Sequence, residues 1–393
     1  MKFFHKIHLW LSVPFGLVIT LICFSGAMLV FEPEITRHVK SDIYYVASAK
    51  GEPVDMGELM ETVKATLPDS VSITGVTVFR DKNRTYQVNL SKPRRASVFI
   101  DQYSGRITGK YERIGFFSTM FKLHRWLLDS ADPRGDGLKV GKMLVGISTM
   151  MFVIALVSGV VIWCPRARRN LKRSLSVPFR DGWRGFWKGL HVAGGMYALL
   201  LVLAMALTGL TWSFGWYRAA FYAVCGVEYV PRGSASDGKG EKNKSSHKSG
   251  DRDWRGGRHG HRGDYAERQH RGPSMRSEFK CWQQVYDVLE ARNPEAPRIT
   301  VGQENASVTV SSGNNAADRY EFDSRSGRFT GVTKYAASDS SDKLRGWIYA
   351  VHTGSFGGMI TRILWFLGAL LGASLPLTGY YIWLRRLKRH KQR

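Results

Sequence analysis

The stretch HVAGGMYALLLVLAMALTGLTW, from His191 to Trp212, sets the plan of the chain. It is an apolar run long enough to cross a bilayer, with a histidine at its start and the pair Thr208-Gly209 near its end. A second run of the same kind begins at His8 and reaches Ser25-Gly26. Seventeen residues separate the histidine from the Ser or Thr in both runs. This match predicts that the chain contains a duplicated unit.

Four apolar runs reach the roughly 20 residues that a membrane-spanning helix needs. The first run could be mistaken for a signal peptide, because basic residues precede it. Its apolar part is longer than the roughly 7–15 residues of a signal peptide, and no small-residue cleavage site follows it, so we predict a retained helix. The four predicted transmembrane helices lie at about residues 9–31, 140–163, 190–217 and 358–384.

The 393 residues carry a formal net charge of +25, which taken alone would fit a nucleic-acid-binding protein. Many basic residues, however, stand in short segments beside the apolar runs: before the first helix, in the loop 164–189 and in the tail 385–393. Short basic loops mark the cytoplasmic side of a membrane, and alternating helices place all three segments there. We therefore predict cytoplasmic termini and a lipid membrane, not nucleic acid, as the partner. The long segments at roughly 32–139 and 218–357 are predicted to lie outside.

The two outside segments share one plan and one motif, Asp-x-x-Ser-Gly-Arg-x-Thr-Gly, at residues 101–109 and 323–331. Each pattern predicts a small α+β domain in which a helix packs on an antiparallel sheet, at 32–115 and 218–343. Residues 232–276 have almost no apolar side chains and are predicted to be a disordered insertion that contains histidines. The predicted elements are a helix at 56–67 with strands at 71–79, 85–90 and 96–101, and a helix at 279–291 with strands at 298–301, 306–311 and 319–323.

After each outside domain comes an aromatic-rich segment with a histidine, and then a transmembrane helix. These units span 116–163, with His124, and 344–384, with His352, and their helices carry the related pairs Ser158-Gly159 and Thr378-Gly379. The predicted fold class is a membrane protein: an α-helical bundle of four transmembrane helices plus two outside α+β domains, formed by internal duplication. Its predicted order is helix 1–31, domain, helix, loop 164–189, helix 190–217, domain, helix and tail 385–393.

Four histidines occupy repeat-equivalent positions and are candidate ligands. His8 and His191 stand at the cytoplasmic starts of the first and third helices, and His124 and His352 stand near the outside starts of the second and fourth. Ionisable residues at membrane depth are costly, so they indicate function. The alternative is structural, because His, Trp and Tyr are common at helix ends. The duplication predicts that His8 pairs with His191, and His124 with His352.

Haem b fits two facing histidines on different helices, since each imidazole can supply one axial ligand. Zinc and di-iron carboxylate sites are disfavoured, because the apolar faces carry no set of cysteines or carboxylates. His8 and Ser25 are separated by about 25 Å along a helix, so two haems would lie near opposite membrane faces and carry electrons across. We also expect glycines near the histidines to let a flat ring approach the backbone: Gly16, Gly194, Gly195, Gly354, Gly357 and Gly358.

The cysteines stand apart in the sequence and form no Cys-x-x-Cys or c-type haem motif. Cys225 and Cys281 both fall in the second outside segment, where a disulfide could persist. Whether they pair depends on geometry that their spacing does not supply.

The Asp-x-x-Ser-Gly-Arg-x-x-Gly turns and the segments around the four histidines resemble the PepSY-associated transmembrane family. That family includes bacterial iron-regulated inner-membrane proteins and ferric-siderophore reductases of the ferrioxamine-reductase (FoxB) type. The resemblance implies an inner-membrane protein with two periplasmic PepSY modules and haem b. By motif match, it gives His8, His124, His191 and His352 the role of axial ligands to the haem iron.

The resulting hypothesis is a reductase that moves electrons to periplasmic ferric chelates, such as ferric siderophores, and so releases ferrous iron. A quinol or a separate reductase would donate the electrons, because no Gly-x-Gly-x-x-Gly fingerprint is present. The alternative is a non-enzymatic membrane protein whose PepSY modules bind or inhibit a peptidase or transporter. A metal permease is weaker, because no line of carboxylates or cysteines follows the helices.

Overall fold

The first half of the chain begins with a long helix and continues into four strands before it returns to a second long helix. The computed structural model describes residues 2–93, 96–129, 140–179, 182–229 and 279–391, so the predicted insertion at 232–276 lies outside the described residues. The elements of this half are α1 (Lys2–Leu29), α2 (Glu32–Val39), α3 (Ser41–Tyr44), α4 (Met56–Lys64), β1 (Ile73–Phe79), β2 (Tyr86–Leu90), β3 (Ser97–Ile100), β4 (Ile107–Lys110), α5 (Gly115–Trp126) and α6 (Val140–Arg169).

The second half repeats this order, as the duplication predicted. A short helix, α7 (Leu171–Ser174), connects the halves, and a π-helical turn at Leu190–Gly194 interrupts the third long helix. The further elements are α8 (Gly182–Gly189), α9 (Gly195–Ser213), α10 (Gly215–Val224), α11 (Trp282–Arg292), β5 (Arg298–Gly302), β6 (Asn305–Ser311), β7 (Ala316–Phe322), β8 (Phe329–Thr333), α12 (Ser340–Thr353) and α13 (Gly358–Lys391), with 3₁₀ turns at Tyr335–Ala337 and Ser355–Gly357.

Four helical segments are long and apolar enough to cross a membrane: Lys2–Leu29, Val140–Arg169, Gly182–Ser213 and Ser355–Lys388. They coincide with the four predicted transmembrane helices. The third differs at both ends, since we predicted 190–217 and the helical segment begins at Gly182, within the predicted loop 164–189, and stops at Ser213. Phe214 there adopts an extended backbone, with φ −124° and ψ 129°, and α10 starts anew at Gly215.

The four long helices pack in a ring. α1 packs mainly against α6 and α13, and α9 packs against the same two helices. Their common core is apolar and close-packed, as is usual where helices meet in a membrane. The buried residues of this core are Ile19, Phe152, Leu156, Ala198, Val202 and Leu375.

The strands of both halves form one antiparallel sheet rather than two separate ones. Its order is β4-β3-β2-β1-β5-β6-β7-β8, so the first strand of each half pairs with the other at the centre. In this seam, Gly75 lies opposite Gly302, and the hydroxyls of Thr77 and Thr300 are 2.9 Å apart. Sequence patterning predicted most of the strands, but not their joining across the halves.

The helices α4 and α11 cover one face of this sheet. They bury a shared core in which Met60, Val76, Trp282, Leu289 and Val301 are all at most 1 % exposed. Because residues from both halves contribute to it, the two predicted domains have a common hydrophobic core.

The repeated Asp-containing motif forms the same turn in each half, between β3 and β4 and between β7 and β8. The carboxylate of Asp101 accepts the backbone N–H of Tyr103 at 2.9 Å, and Asp323 accepts that of Arg325 at 3.1 Å. Gly105 and Gly327 both have φ +67°, a value that favours glycine. The strands after the turns, β4 and β8, complete the sheet at its two edges.

Cys225 and Cys281 are not joined by a disulfide. Cys225 is exposed, whereas Cys281 is buried and its thiol donates to the backbone carbonyl of Arg325 at 3.2 Å. A buried thiol at the start of α11 therefore has a protein partner of its own.

Candidate functional site

The first histidine pair joins α1 to the third long helix. His8 lies near the start of α1, and His191 lies in the π-helical turn that precedes α9. Their ring centroids are 6.2 Å apart, and the ring planes are nearly perpendicular, at 82°. π-Helical turns inside α-helices occur frequently at functional sites, because the extra residue redirects a side chain.

The second histidine pair is formed by two short helices that precede the long ones. His124 belongs to α5 and His352 to α12, and their ring centroids are 6.0 Å apart with an angle of 53°. Each short helix ends just after its histidine, at residues with a left-handed backbone: Leu127, with φ 51°, and Gly354, with φ 71°. The structure thus brings together both pairs that the duplication predicted.

All four rings are anchored through the same nitrogen. Each Nδ1 lies within hydrogen-bonding distance of a backbone carbonyl on a long helix. A carbonyl only accepts, so this contact places the proton on Nδ1 and leaves Nε2 as a neutral acceptor able to bind a metal. The Nδ1-to-oxygen distances are 3.0 Å from His8 to Ala155, 2.9 Å from His124 to Ile22, 3.1 Å from His191 to Leu375 and 3.0 Å from His352 to Met205.

Three residues after each of these carbonyls stands a hydroxyl residue, and a glycine follows it. We call these four Ser/Thr-Gly pairs the histidine seats: Ser25-Gly26, Ser158-Gly159, Thr208-Gly209 and Thr378-Gly379. Every hydroxyl of the seats is buried and donates to its own helix backbone, as Ser158 does to Ala155 at 2.9 Å. Three of the hydroxyls also lie within 3.2 Å of the histidine Nδ1, at Ser158, Thr208 and Thr378.

The glycine of each histidine seat lies against the imidazole, and at two seats only a glycine leaves room for the ring. A Cβ atom built at Gly26 would stand 2.9 Å from Cε1 of His124, and one at Gly209 would stand 3.1 Å from Cε1 of His352. At Gly159 and Gly379, the corresponding distances to His8 and His191 are 3.4 Å. At Gly26 and Gly209 the absence of a side chain therefore lets the ring lie directly against a helix backbone, whereas at the other two seats a methyl group would make an ordinary contact.

The seats show how the two halves share the site. His8 and His124 occupy seats on α6 and α1, and His191 and His352 occupy seats on α13 and α9. Each half therefore holds its own two rings, while each pair takes one ring from either half. Along α1, His8 and the seat of His124 are separated by about 25 Å.

The spacing of each pair fits one metal between two imidazoles. A metal–imidazole bond is about 2.0–2.1 Å long, and a five-membered ring with bonds of about 1.35 Å has a radius of about 1.15 Å. If both rings pointed at the metal, two bonds and two radii would give about 6.3–6.5 Å. The observed centroid distances, 6.2 and 6.0 Å, are slightly shorter than this sum. No group of three or more His, Cys, Asp or Glu occurs among the described residues, so the remaining ligands would have to come with the cofactor. Haem, with four nitrogen ligands of its own, meets this condition.

The structure gives a different role to most glycines that we expected beside a flat ring. Side chains of the bundle fill the space at five of them, because close approach of transmembrane helices also requires small residues. The neighbours are Tyr380 at Gly16, Leu190 and Leu371 at Gly194, Leu375 at Gly195, Trp365 at Gly354 and Thr361 at Gly357.

The four-helix bundle, the continuous sheet and the shared histidine pairs define a duplicated membrane protein. Its sequence matches the family model of the PepSY-associated TM region over residues 5–386. The match covers nearly the whole chain, so the protein belongs to this family, as its motifs predicted. A comparison with curated proteins finds no match.

Proposed function

We propose that this protein is a haem-containing reductase of the bacterial inner membrane, which moves electrons across the membrane to ferric chelates such as ferric siderophores. The proposal rests on the two pairs of anchored imidazoles, in which the ring centroids are 6.2 and 6.0 Å apart. In this proposal, His8 and His191 hold one haem b, and His124 and His352 hold the other. Haem b would supply a reversible one-electron couple between ferric and ferrous iron.

The chain's own residues prepare the ligands. The carbonyls fix the tautomer and orientation of each ring, and a hydrogen bond at Nδ1 makes Nε2 more basic. The rings are thus held in place before any cofactor binds. Trp212 packs edge-on against His352, with ring centroids 5.0 Å apart, and covers one side of that pair with apolar surface.

The charge distribution orients the protein in this proposal. The basic segments at 164–189 and 385–393 would face the cytoplasm together with both termini, so the His8 pair would lie near the inner face. The eight-stranded sheet and the His124 pair would lie on the periplasmic side. A cytoplasmic-side donor, a quinol or a separate reductase, would supply the electrons.

A cavity at the seam of the sheet supports a chelate as the acceptor. It measures about 550 Å³ and takes residues from both halves: Phe79, Arg80, Asp81, Arg84, Glu295 and Pro297. Arg80 is paired with Glu295 at 2.7 Å, so Arg84 is the arginine that we expect an anion to contact. The guanidinium of Arg84 lies 4.1 Å from the centre of the Phe79 ring. Arginine beside an aromatic ring offers both charge and a flat surface to an oxygen-rich anion. One electron per ferric ion would yield ferrous iron, which siderophores hold weakly, and the metal would leave.

The visible spectrum of the purified protein tests the proposal. We expect a Soret band with the features of two histidine ligands, and oxidation of the reduced protein on addition of ferric chelates. If folded protein shows no Soret band after reconstitution with haem, the reductase hypothesis is wrong. The result would then favour a PepSY protein that binds or inhibits a partner. If the protein binds haem but none of several ferric chelates oxidises its reduced form, ferric chelates are not the electron acceptor.

A further inference from the structure

A small cavity surrounded by arginines lies where α6 ends, apart from the histidine pairs. It measures about 480 Å³. Its lining combines apolar and basic residues from the last turns of α6 with basic and polar residues from Asn170 and α7. The lining residues are Ile162, Pro165, Arg166, Arg169, Asn170, Arg173 and Ser174.

The local sequence explains why the chain turns there. Asn170 takes an extended backbone, with φ −160° and ψ 92°, which ends α6. Its side chain then accepts the backbone N–H of Arg173 at 2.9 Å and starts α7. The turn brings Arg173 back toward Arg166 and Arg169, and Ser174 is buried beneath them.

The other half of the molecule has no such turn. Pro165 and Arg166 correspond to Arg385 and Arg386 in the repeat, since Trp163 corresponds to Trp383. There, α13 continues without a break to Lys391. Basic residues are present at both helix ends, but only at the end of α6 does the described chain turn back into a second short helix.

In the part of the chain that the structure describes, no carboxylate pairs with the arginines of the cavity. Residues 164–189 contain eight basic residues and one acidic residue, Asp181. Among the described residues, the ion pairs include none of the three arginines of the cavity, and all three are exposed. Guanidinium groups repel one another unless an anion lies between them, and their planar forks match phosphate oxygens.

The position of the cavity indicates which phosphate-containing molecule could reach it. Arg166 is the first charged residue after the apolar span that ends near Trp163, so the arginines lie at the level where lipid headgroups meet a transmembrane helix. We propose that this cavity binds the phosphate headgroup of an anionic phospholipid. Arg166, Arg169 and Arg173 donate to the phosphate, and Ile162 and Pro165 contact the apolar part of the lipid next to it. The site does not depend on the haem or on the chelate.

Native mass spectrometry of the full-length, delipidated protein in detergent tests this site. We compare titrations with phosphatidylglycerol, phosphatidylcholine and inorganic phosphate. The variant R166Q/R169Q/R173Q is matched by R385Q/R386Q/K388Q, which removes the same charge from α13. We expect the first variant to weaken phosphatidylglycerol binding at least about tenfold, and the second to change it less than about twofold.

Three results would overturn the proposal. Equal losses in both variants would mean that total charge, not the cavity, attracts the lipid. Phosphatidylcholine bound as tightly as phosphatidylglycerol would remove the role of net anionic charge. Displacement of the lipid by inorganic phosphate at equal concentration would make free phosphate the ligand. A further variant, R166K/R169K/R173K, keeps the charge and checks for misfolding. It should bind with intermediate affinity, because lysine lacks the paired donors of arginine.

Discussion

Each of the four histidines is held at one ring nitrogen by a carbonyl and at one ring edge by a glycine. The sequence predicted the pairs, because equal spacing in a duplicated chain places equivalent residues about one axis. It did not predict the histidine seats as anchors, although every long helix carries a Ser/Thr-Gly pair. Such pairs are also common where transmembrane helices merely pack together. Every residue has a backbone carbonyl, so the sequence cannot show which carbonyl binds a histidine.

Replacing one proposed ligand tests the assignment of the site. We expect His191→Ala to lower bound haem by about half, because one of the two pairs loses an imidazole. The haem-to-protein ratio and the low-temperature spectrum measure this loss. His38→Ala, at an exposed position on α2, serves as the control. If His191→Ala retains both haem signals unchanged, His191 is not a ligand.

The glycines of the histidine seats differ in the space they leave, which gives a matched comparison. A methyl group at Gly26 would stand 2.9 Å from the His124 ring, whereas one at Gly159 would stand 3.4 Å from His8, an ordinary contact. We expect Gly26→Ala to displace His124, lower the melting temperature and alter the spectrum of one haem. Gly159→Ala should be tolerated, since alanine favours a helix over glycine by about 1 kcal/mol. If the two substitutions change the melting temperature and the spectrum equally, the glycine at position 26 does not act by leaving space for the His124 ring.

At the scale of elements, a partly buried ion pair connects the start of α2 to α13. Arg362 donates both terminal nitrogens to the carboxylate of Glu34, each at 2.6 Å, and also donates to the carbonyl of Val30. Arg113 makes a second pair, with Glu32, from the segment before α5. The two carboxylates in Glu32-Pro33-Glu34 thus connect the end of α1 to the elements beside the His124 pair. The sequence showed both carboxylates but not their partners, which are distant along the chain.

This ion pair predicts a response to acid. Burial alone raises the pKa of Glu34, but the hydrogen bonds and charge of Arg362 outweigh it and hold the pKa below its ordinary value of 4.5. A carboxyl group whose pKa is lower in the folded state stabilises the folded protein at pH values above its pKa in the unfolded state. This stabilisation is lost as the pH falls through the pKa of the folded state. We expect Glu34→Gln to lower the melting temperature at about pH 7, and the difference from wild type to shrink below about pH 4.

Thermal melts across this pH range measure the effect. Glu61→Gln, on the exposed side of α4, is the control and should follow wild type throughout. A difference between Glu34→Gln and wild type that stays constant down to low pH would contradict a contribution from the ionised carboxylate.

At the scale of the whole molecule, the two halves are joined edge to edge through β1 and β5. The sequence pattern predicted both strands, since alternating apolar and polar residues indicate a strand with one buried face. They could not predict the pairing, because two edge strands of similar composition can pair with many partners. The seam was therefore visible only in the structure, where Gly75 and Gly302 lie opposite each other.

The seam can be tested at Gly75. A Cβ atom there would stand 2.7 Å from the backbone oxygen of Val301, which cannot rotate away. We expect Gly75→Ala to cost about 1–3 kcal/mol in the free energy of unfolding, as overpacked sites do. Hydrogen exchange should rise at the amides of β1 and β5. Gly115→Ala has no described atom within 4 Å of the new methyl group and should leave both readouts near wild type.

The histidine pairs give one chain the arrangement of a two-fold dimer, because its two halves contribute equivalent residues to each pair. Each pair has one ring on either half, and the rings are fixed to their own half by the histidine seats. A rigid rotation of one half against the other would therefore change both ring-to-ring distances in a single motion. The sheet seam resists such a rotation, and so do the contacts of α1 with α13 and of α6 with α9, so these interfaces hold the geometry of both pairs together.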